Sequence, residues 1–589
     1  MVQPPRHIAA ILFSMLVLSA CGSTAPEDKG GNEEMPPSSD EPLKITTDKA
    51  AYSPGETVVL TISRRASSQV MVRYKYLNKV IRQSSVSGTS WQWTPPDDDF
   101  KGYVAEVYRD ENGSEKILAT IGIDVSSGWT KFPRYGFLSD YGNLDDSEMA
   151  AVIENLNRHH INGIQFYDWQ YKHHQMLAGT PDSPQPVWKN IANDDVYFST
   201  VESYIKAAHE HNMSTMFYNL VYGALENASA DGVSEKWYLY TDQSHTNKDR
   251  HSLPSPPFKS DIFLLDSSNA EWQQFLADEN QKVYSALDFD GFHMDQLGDR
   301  GSRYAYNGDR VNLAQTFRPF IESMEQANPD KYLVMNAVNQ YGQPGISDAP
   351  TDFLYTEVWS PNEAYKDLAR VITDNNRFGN DLKNSVLAAY VNYNMADSKG
   401  YFNTPSVIFT DAVIFAFGGS HLELGEHMLG KEYFPNSNLS MRKDLKEALV
   451  SYYDFLVGYE NLLRGGGAYN TPDVSTYGEV TLNQWPPQQG KVSVVGKAVG
   501  KREVIHLLNF TDATTMNWRD NNGIQAYPYR KNNIPIVFST DQQVQKVWYA
   551  TPDHEMGASR KLEFTQSGSE VTFTLPSLKY WSMVVIEFK

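Results

Sequence analysis

The pattern of apolar and polar positions divides the chain into five stretches. An apolar run over residues 8–20 follows Arg6 and His7 and is too short to cross a bilayer as a helix. Residues 22–42 carry almost no apolar side chain and are rich in Gly, Pro, Ser and acid. They cannot bury enough surface to fold and read as a disordered linker. Over residues 43–126 short β-type runs (58–62, 71–74, 103–108 and 117–125) alternate with turn clusters such as Tyr52-Ser53-Pro54-Gly55. That spacing predicts an immunoglobulin-like β-sandwich. Over residues 127–465 the period switches to strands alternating with amphipathic helices. Eight strands are predicted, at 134–140, 163–169, 214–221, 291–297, 332–338, 353–359, 386–392 and 413–422. Helices fall between them, among them 145–159, with Asp145 in its N-cap region, and 204–211. Eight such units fit a (β/α)8 TIM barrel. A doubly wound sheet is the alternative, and no Gly-rich phosphate loop follows any strand to support it. From 466 to 589 the helical period stops, and runs at 478–482, 491–495, 503–508, 570–575 and 581–586 predict a second, C-terminal sandwich. The fold class is therefore multidomain: a barrel flanked by two β-sandwiches.

Polar residues gather where the predicted barrel strands end. In a barrel the interior is filled by apolar layers, so such ends belong at the C-terminal mouth, where catalysis occurs. The first strand offers Ser139, Asp140 and Tyr141, and the second Tyr167, Asp168 and Trp169, then Tyr171, His173 and His174. Tyr218 and Asn219 end the third; Asp295, Gln296 and Asp299 follow the fourth; Asn336 and Asn339 follow the fifth. The sixth gives Glu357 and Trp359, the seventh Tyr390, Asn392 and Tyr393, and the eighth His421, Glu423 and Glu426. Any one of these reads equally well as a turn cap or a buried hydrogen-bonding residue. The recurrence on strand after strand is what points to a site.

Asp295 and Glu357 stand out because each sits in an apolar, aromatic strand where an unpaired charge is costly. Two carboxylates are what glycoside hydrolysis requires, one to attack or activate water and one to protonate the leaving oxygen. Strands four and six lie one strand apart, which brings inward-leaning carboxyls to about 5–6 Å and favours retention over inversion. The shorter acid, Asp295, suits a fixed nucleophile. Glu357, beside Tyr355, Val358 and Trp359, is expected to be held protonated. Gln296 and Asp299 are candidates to orient the site.

Composition narrows the partners. Against 51 basic residues stand 72 acidic ones, a net charge of −21, which repels nucleic acid and leaves a neutral polymer unhindered. Aromatics make up 13% of the chain, with 35 Tyr and 12 Trp, the kind of flat rings on which sugars stack. Neither an HExxH nor an EF-hand pattern occurs, and the His159-His160 and His173-His174 pairs point apart on a helix. No cofactor and no catalytic metal are expected; a structural calcium on loop carboxylates stays open. No GxSxG elbow supports a serine hydrolase.

These motifs resemble glycoside hydrolase family 66, the dextranases and cycloisomaltooligosaccharide glucanotransferases. The resemblance rests on residues 166–174 (Phe-Tyr-Asp-Trp-Gln-Tyr-Lys-His-His), 290–298 (Asp-Gly-Phe-His-Met-Asp-Gln-Leu-Gly), 355–359 (Tyr-Thr-Glu-Val-Trp) and 418–425 (Gly-Gly-Ser-His-Leu-Glu-Leu-Gly). It implies endo-hydrolysis of the α-1,6 linkages of dextran to isomaltooligosaccharides with retention, Asp295 falling on the family's nucleophile and Glu357 on its general acid/base. It further implies Tyr167, Asp168, Trp169, His173, Asn336, Trp359 and Tyr390 as glucose-gripping residues; Asp140, Tyr218 and His421 join them as strand-end candidates. The family's cyclising members carry a carbohydrate-binding module inserted in the barrel. Here only about 20 residues separate predicted strands seven and eight, too few for a domain, which favours the dextranase branch. Cyclisation and non-catalytic glucan capture are the alternatives.

Leu18-Ser19-Ala20-Cys21 resembles a bacterial lipobox, with Cys21, the single cysteine, as the acylated residue. The expectation is an exported monomer, anchored by lipid to the cell surface or outer membrane of a bacterium and stabilised by its cores instead of disulfides.

Overall fold

The computed structural model describes residues 43–65, 70–111, 113–432 and 436–589. The predicted leader, Cys21 and the linker lie outside the described residues. Pro42–Lys589 forms one compact unit, multidomain in build and rich in sheet. No described helix is long and apolar enough to cross a membrane.

At the N-terminal end a three-stranded sheet (Ile45–Thr47, Val58–Ile62, Ser90–Trp93) packs on a four-stranded one (Val70–Tyr76, Lys79–Ser85, Lys101–Glu111, Ser114–Val125). Their shared core includes Leu60, Val72, Ile121 and Trp93, whose ring stacks on Tyr74 at 4.1 Å. The C-terminal stretch likewise pairs two mostly antiparallel sheets, one centred on Val492–Val499, Arg502–Asn509 and Trp581–Phe588, the other on Lys531–Ser539 and Glu570–Leu578. Of the predicted run at 478–482 only Leu482 is in a strand, the short Leu482–Gln484.

Between them lie eight short parallel strands: β1 (Tyr135–Leu138), β2 (Gly163–Phe166), β3 (Ser214–Leu220), β4 (Gly291–Asp295), β5 (Tyr332–Met335), β6 (Leu354–Glu357), β7 (Ser385–Ala388) and β8 (Ser420–His421). They form two arcs, β1 to β5 in chain order and β6 to β8 in chain order, and not one closed ladder. The arcs meet at a single parallel bridge between Asn336 and Tyr355. On the other side Phe137 N–H of β1 donates to the Leu424 carbonyl at 3.0 Å. Helices alternate with the strands, among them α1 (Asp146–Arg158), α2 (Phe198–Glu210), α3 (Ala270–Ala286), α4 (Leu313–Ala327), α5 (Gln343–Asp348), α6 (Tyr365–Phe378), α7 (Thr404–Ala416) and α8 (Lys443–Gly458). Asp145 caps α1 as expected, accepting from the Ser147 and Glu148 N–H groups at 2.9 Å each.

One predicted strand was wrong in type. Most of 413–422 belongs to α7 and the turn after it, and β8 keeps only Ser420 and His421. Every residue of α7 is buried, so its apolar run has no amphipathic period, and periodicity cannot tell such a helix from a buried strand.

Two cores result. An outer one packs strands against helices, with Trp169, Phe217, Trp272, Phe292 and Phe317. An inner one lies between the arcs and includes Tyr135, Phe137, Tyr167, Met216, Tyr218, Val334, Tyr355, Val386 and Tyr390. The inner core carries polar tips, and these form the floor of the site.

Candidate active site

β4 and β6 bring Asp295 and Glu357 to the same end of the two arcs. In the register, Asp295 stands beside Leu220 of β3, and Glu357 beside Ala388 of β7. Asn336, just past the end of β5, lies between them. Its Nδ2 donates to Asp295 Oδ1 at 2.9 Å and, more weakly, to Glu357 Oε2 at 3.3 Å, while its Oδ1 accepts the Glu357 N–H at 3.2 Å. One amide nitrogen thus touches both acids. Those two oxygens can be no farther apart than the two bonds laid end to end, about 6 Å, shorter than the roughly 6.5–9.5 Å of an inverting pair.

The acids have different surroundings. Asp295 receives Tyr218 O–H on Oδ2 at 2.8 Å, and the Gln296 N–H on Oδ1 at 2.8 Å beside Asn336. Burial raises its carboxyl, while these three donors stabilise the charged form and pull it back. Glu357 Oε1 receives Tyr390 O–H at 2.6 Å. Burial, and after it the charge of Asp295, pushes Glu357 up to about 7. Asp168, also buried and near Asp295, is pushed up to about 7 for the same two reasons. Asp295 is therefore the acid that ionises, and its charge keeps its neighbours protonated.

Both acids line a cavity of about 260 Å³. Tyr167, Asp168, His173, Tyr218, Asn336, Trp359 and Tyr390 line it as the strand-end reading expects. Below, Tyr135 O–H meets His293 Nδ1 at 3.2 Å and Tyr167 O–H meets Tyr355 O–H at 3.3 Å. The His293 ring is driven down to about 3 by burial alone and is neutral. His173 is likewise neutral, burial taking it down to about 4; its Nδ1 pairs with Asn219 Oδ1 at 2.9 Å.

Four expected residues stand elsewhere. Trp169 does not line the cavity; it is buried in the outer core against Trp188, Phe217 and Phe289. The reason is local: Asp168 is left-handed (φ 45°), which breaks strand alternation, so Asp168 faces the cavity and Trp169 turns away. Asp140 is exposed and accepts the Gly142 N–H at 3.0 Å, a turn cap. His421 is buried behind the site, with Nε2 on the Ala389 carbonyl and Nδ1 on Asp411 Oδ1, both at 2.8 Å. With Glu423 these form the group among the described residues whose donor atoms lie close enough for a metal; Nδ1 and Asp411 Oδ1 already bond directly. Asp299 is exposed and caps Gly301 N–H at 2.8 Å, not touching the cavity.

Other lining residues were not foreseen. His251, Leu253, Phe258 and Ile262 come from the excursion between β3 and α3, Ile191 from the one between β2 and α2, and Glu432 from beyond β8. Excursions without periodicity gave no signal for them. His293 and Gln165 point inward by strand alternation and could have been found that way.

Comparison with known proteins agrees with this architecture. The model of glycosyl hydrolase family 66 matches residues 47–585. A cycloisomaltooligosaccharide glucanotransferase of Niallia circulans is 27% identical over 92% of this chain and 72% of its own length. A dextranase of Streptococcus salivarius is 24% identical over 82% of this chain and 67% of its own. A crystal structure of a Paenibacillus sp. cycloisomaltooligosaccharide glucanotransferase complexed with cycloisomaltoheptaose superposes with a TM-score of 0.84 at 25% identity, covering 92% of this chain and 99% of that one. With the family model matching nearly the whole chain, the protein belongs to glycosyl hydrolase family 66.

Proposed function

We propose that this glycosidase is an endo-acting, retaining dextranase that cleaves α-1,6-glucosidic bonds to isomaltooligosaccharides. The observation that carries it is the Asn336 amide held between Asp295 and Glu357, which keeps an oxygen of each within about 6 Å of the other and so supports retention over inversion. In the first step Asp295 attacks the anomeric carbon as the glycosidic C–O bond breaks. Oδ1 already holds two donors, so Oδ2, with one, is the freer oxygen. Glu357 gives its proton to the departing oxygen; Tyr390 holds Oε1 at 2.6 Å while Asn336 bonds Oε2 only weakly at 3.3 Å, so Oε2 is the freer oxygen to carry the proton. Water then attacks the same carbon, Glu357 takes its proton, and the bond to Asp295 breaks. Tyr167, Asp168, His173 and Trp359 are proposed to grip glucose units, and Tyr218, Asn336 and Tyr390 to orient the acids. No cofactor enters these steps.

The second reading is cycloisomaltooligosaccharide formation, the activity named for two of the three relatives and for the solved structure. Chain length supports hydrolysis. The Niallia alignment runs over 703 positions while taking in 92% of a 589-residue chain, so roughly 160 positions have no counterpart here. Between β7 and α7 only residues 389–403 intervene, too few for an inserted module.

The eight strands are read as a (β/α)8-type barrel whose ladder is interrupted between β5 and β6, with domains at 43–126, 127–465 and 466–589. Export with lipidation at Cys21, attachment to a bacterial surface or outer membrane, and a monomeric state belong to the same proposal.

The test is a product profile on linear dextran, resolved by chromatography and mass, for the wild type, Asp295→Asn and Glu357→Gln. A linear ladder that each substitution reduces by more than about 10⁴-fold, with dextran still retained, is expected. Products lighter by one water would mean cyclisation. Near-normal turnover in either variant would overturn the roles.

A further inference from the structure

A buried cation reaches the site from outside the strand layer. Arg519 lies in the C-terminal stretch, nearly a hundred residues past β8, and is only 5% exposed. Its Nη2 donates to the Val358 carbonyl at 2.7 Å and its Nη1 to the Tyr390 carbonyl at 3.3 Å. Val358 follows Glu357, and Tyr390 is the residue whose hydroxyl bonds Glu357. The guanidinium also lies over the Trp359 ring, a cavity wall, at 5.0 Å, over Tyr393 at 5.5 Å and over Trp518 at 4.6 Å.

The segment that carries it is pinned on both sides. Trp518 Nε1–H donates to the Asn362 carbonyl at 2.7 Å, and Trp518 N–H to the Glu363 carbonyl at 3.0 Å. Asn392 N–H donates to the Arg519 carbonyl at 2.7 Å, and Asn392 Nδ2 to the Asp520 carbonyl at 2.9 Å. Among the described residues no carboxylate comes within ion-pair distance of Arg519. A buried charge held by carbonyls and rings, with Glu363 and Glu432 acting on it only from beyond contact, is costly, and here it braces the ends of β6 and β7.

We propose that Arg519 is a positioning residue for the reaction: it clamps the backbones after β6 and β7 so that Glu357, Tyr390 and Trp359 keep their mutual geometry. The proposal rests on the reading of Glu357 as acid/base. A planar fork suits two carbonyls on neighbouring strands, and a lysine offers a single point charge in its place. Misplacing the acid by an ångström costs up to about a hundredfold in proton transfer to the leaving oxygen.

Leaving-group dependence separates positioning from general loosening. Arg519→Met and Arg519→Lys would be assayed on isomaltooligosaccharides, whose leaving alcohol needs a proton, and on 4-nitrophenyl α-isomaltoside, whose leaving group does not. The expected result for Arg519→Met is a loss of roughly 10- to 100-fold in kcat/KM, which reports the first step, on the natural linkage with little loss in kcat/KM on the nitrophenyl substrate, and a smaller loss for Arg519→Lys. An equal loss on both substrates, or none on either, would overturn the positioning role. If Arg519→Met does not fold, Arg519→Lys alone carries the same comparison. Glu357→Ala runs beside them: if it fails to discriminate the two substrates, the acid/base reading has failed and not the clamp.

Discussion

At the scale of residues, the two acids are tuned by separate hydroxyls and by one shared amide, and this makes their ionisations separately addressable. Tyr218 bonds only Asp295, Tyr390 bonds only Glu357, and Asn336 bonds both. Each donor stabilises a carboxylate, so its removal raises that acid. In kcat/KM against pH, the acid limb follows ionisation of Asp295 and the alkaline limb follows loss of the Glu357 proton near about 7. Tyr218→Phe is expected to move the acid limb upward and leave the alkaline limb in place. Tyr390→Phe should do the reverse, moving only the alkaline limb upward, and Asn336→Ala should move both. A Tyr390→Phe profile whose acid limb alone moves would contradict the assignment. Asp168 also rises to about 7, through burial and the charge of Asp295. At this scale the sequence was informative: Asp295 and Glu357 were legible because a carboxylate in an aromatic strand has few structural uses. Trp169 was misread because alternation was carried through Asp168, whose left-handed backbone reverses it.

At the scale of elements, the strands that carry the acids depend on close backbone approach. A Cβ on Gly291, the first residue of β4, would press against the Tyr332 carbonyl oxygen of β5 and sit 2.6 Å from Met216 Sδ of β3. Backbone cannot retreat as a side chain can. Gly291→Ala is therefore expected to cost about 1–3 kcal/mol in denaturant unfolding and to reduce turnover by displacing Asp295. Unchanged stability would mean that β4 is less tightly held than its contacts imply. Strand and helix order was largely readable, since β1 to β7 lie within the predicted runs apart from a one-residue shift at β7. The C-terminal end of each strand was drawn too long, because the polar residues that mark the mouth continue the alternation after the ladder has stopped. β8 was lost inside the apolar run of α7. The wall from the excursion between β3 and α3 had no period to read.

At the scale of the whole molecule, buried polar links tie the N-terminal sheets to the strand layer and its last helices. Arg134, fully buried, gives Nη2 to Asp124 at 2.7 Å, Nε to the His160 carbonyl at 2.6 Å and Nη1 to Glu460 at 3.4 Å. Asp124→Ala removes the closer of the two carboxylates and leaves Arg134 only the longer contact to Glu460, so it is expected to lose about 3 kcal/mol, read as a lower midpoint in denaturant. Nothing in the sequence announced the Arg134–Glu460 contact or the Arg519 clamp, because both join residues far apart in the chain. What the assembly delivers is Asp295 and Glu357 on one shared amide in a small cavity, the first proposed as the nucleophile and the second as the acid/base. The most direct test of that claim is covalent trapping. An activated 5-fluoro isomaltosyl fluoride would be turned over slowly, the enzyme digested, and the glycosylated peptide located by mass. The adduct is predicted on Asp295. An adduct on another residue, or none while the reagent is consumed, would contradict the mechanism.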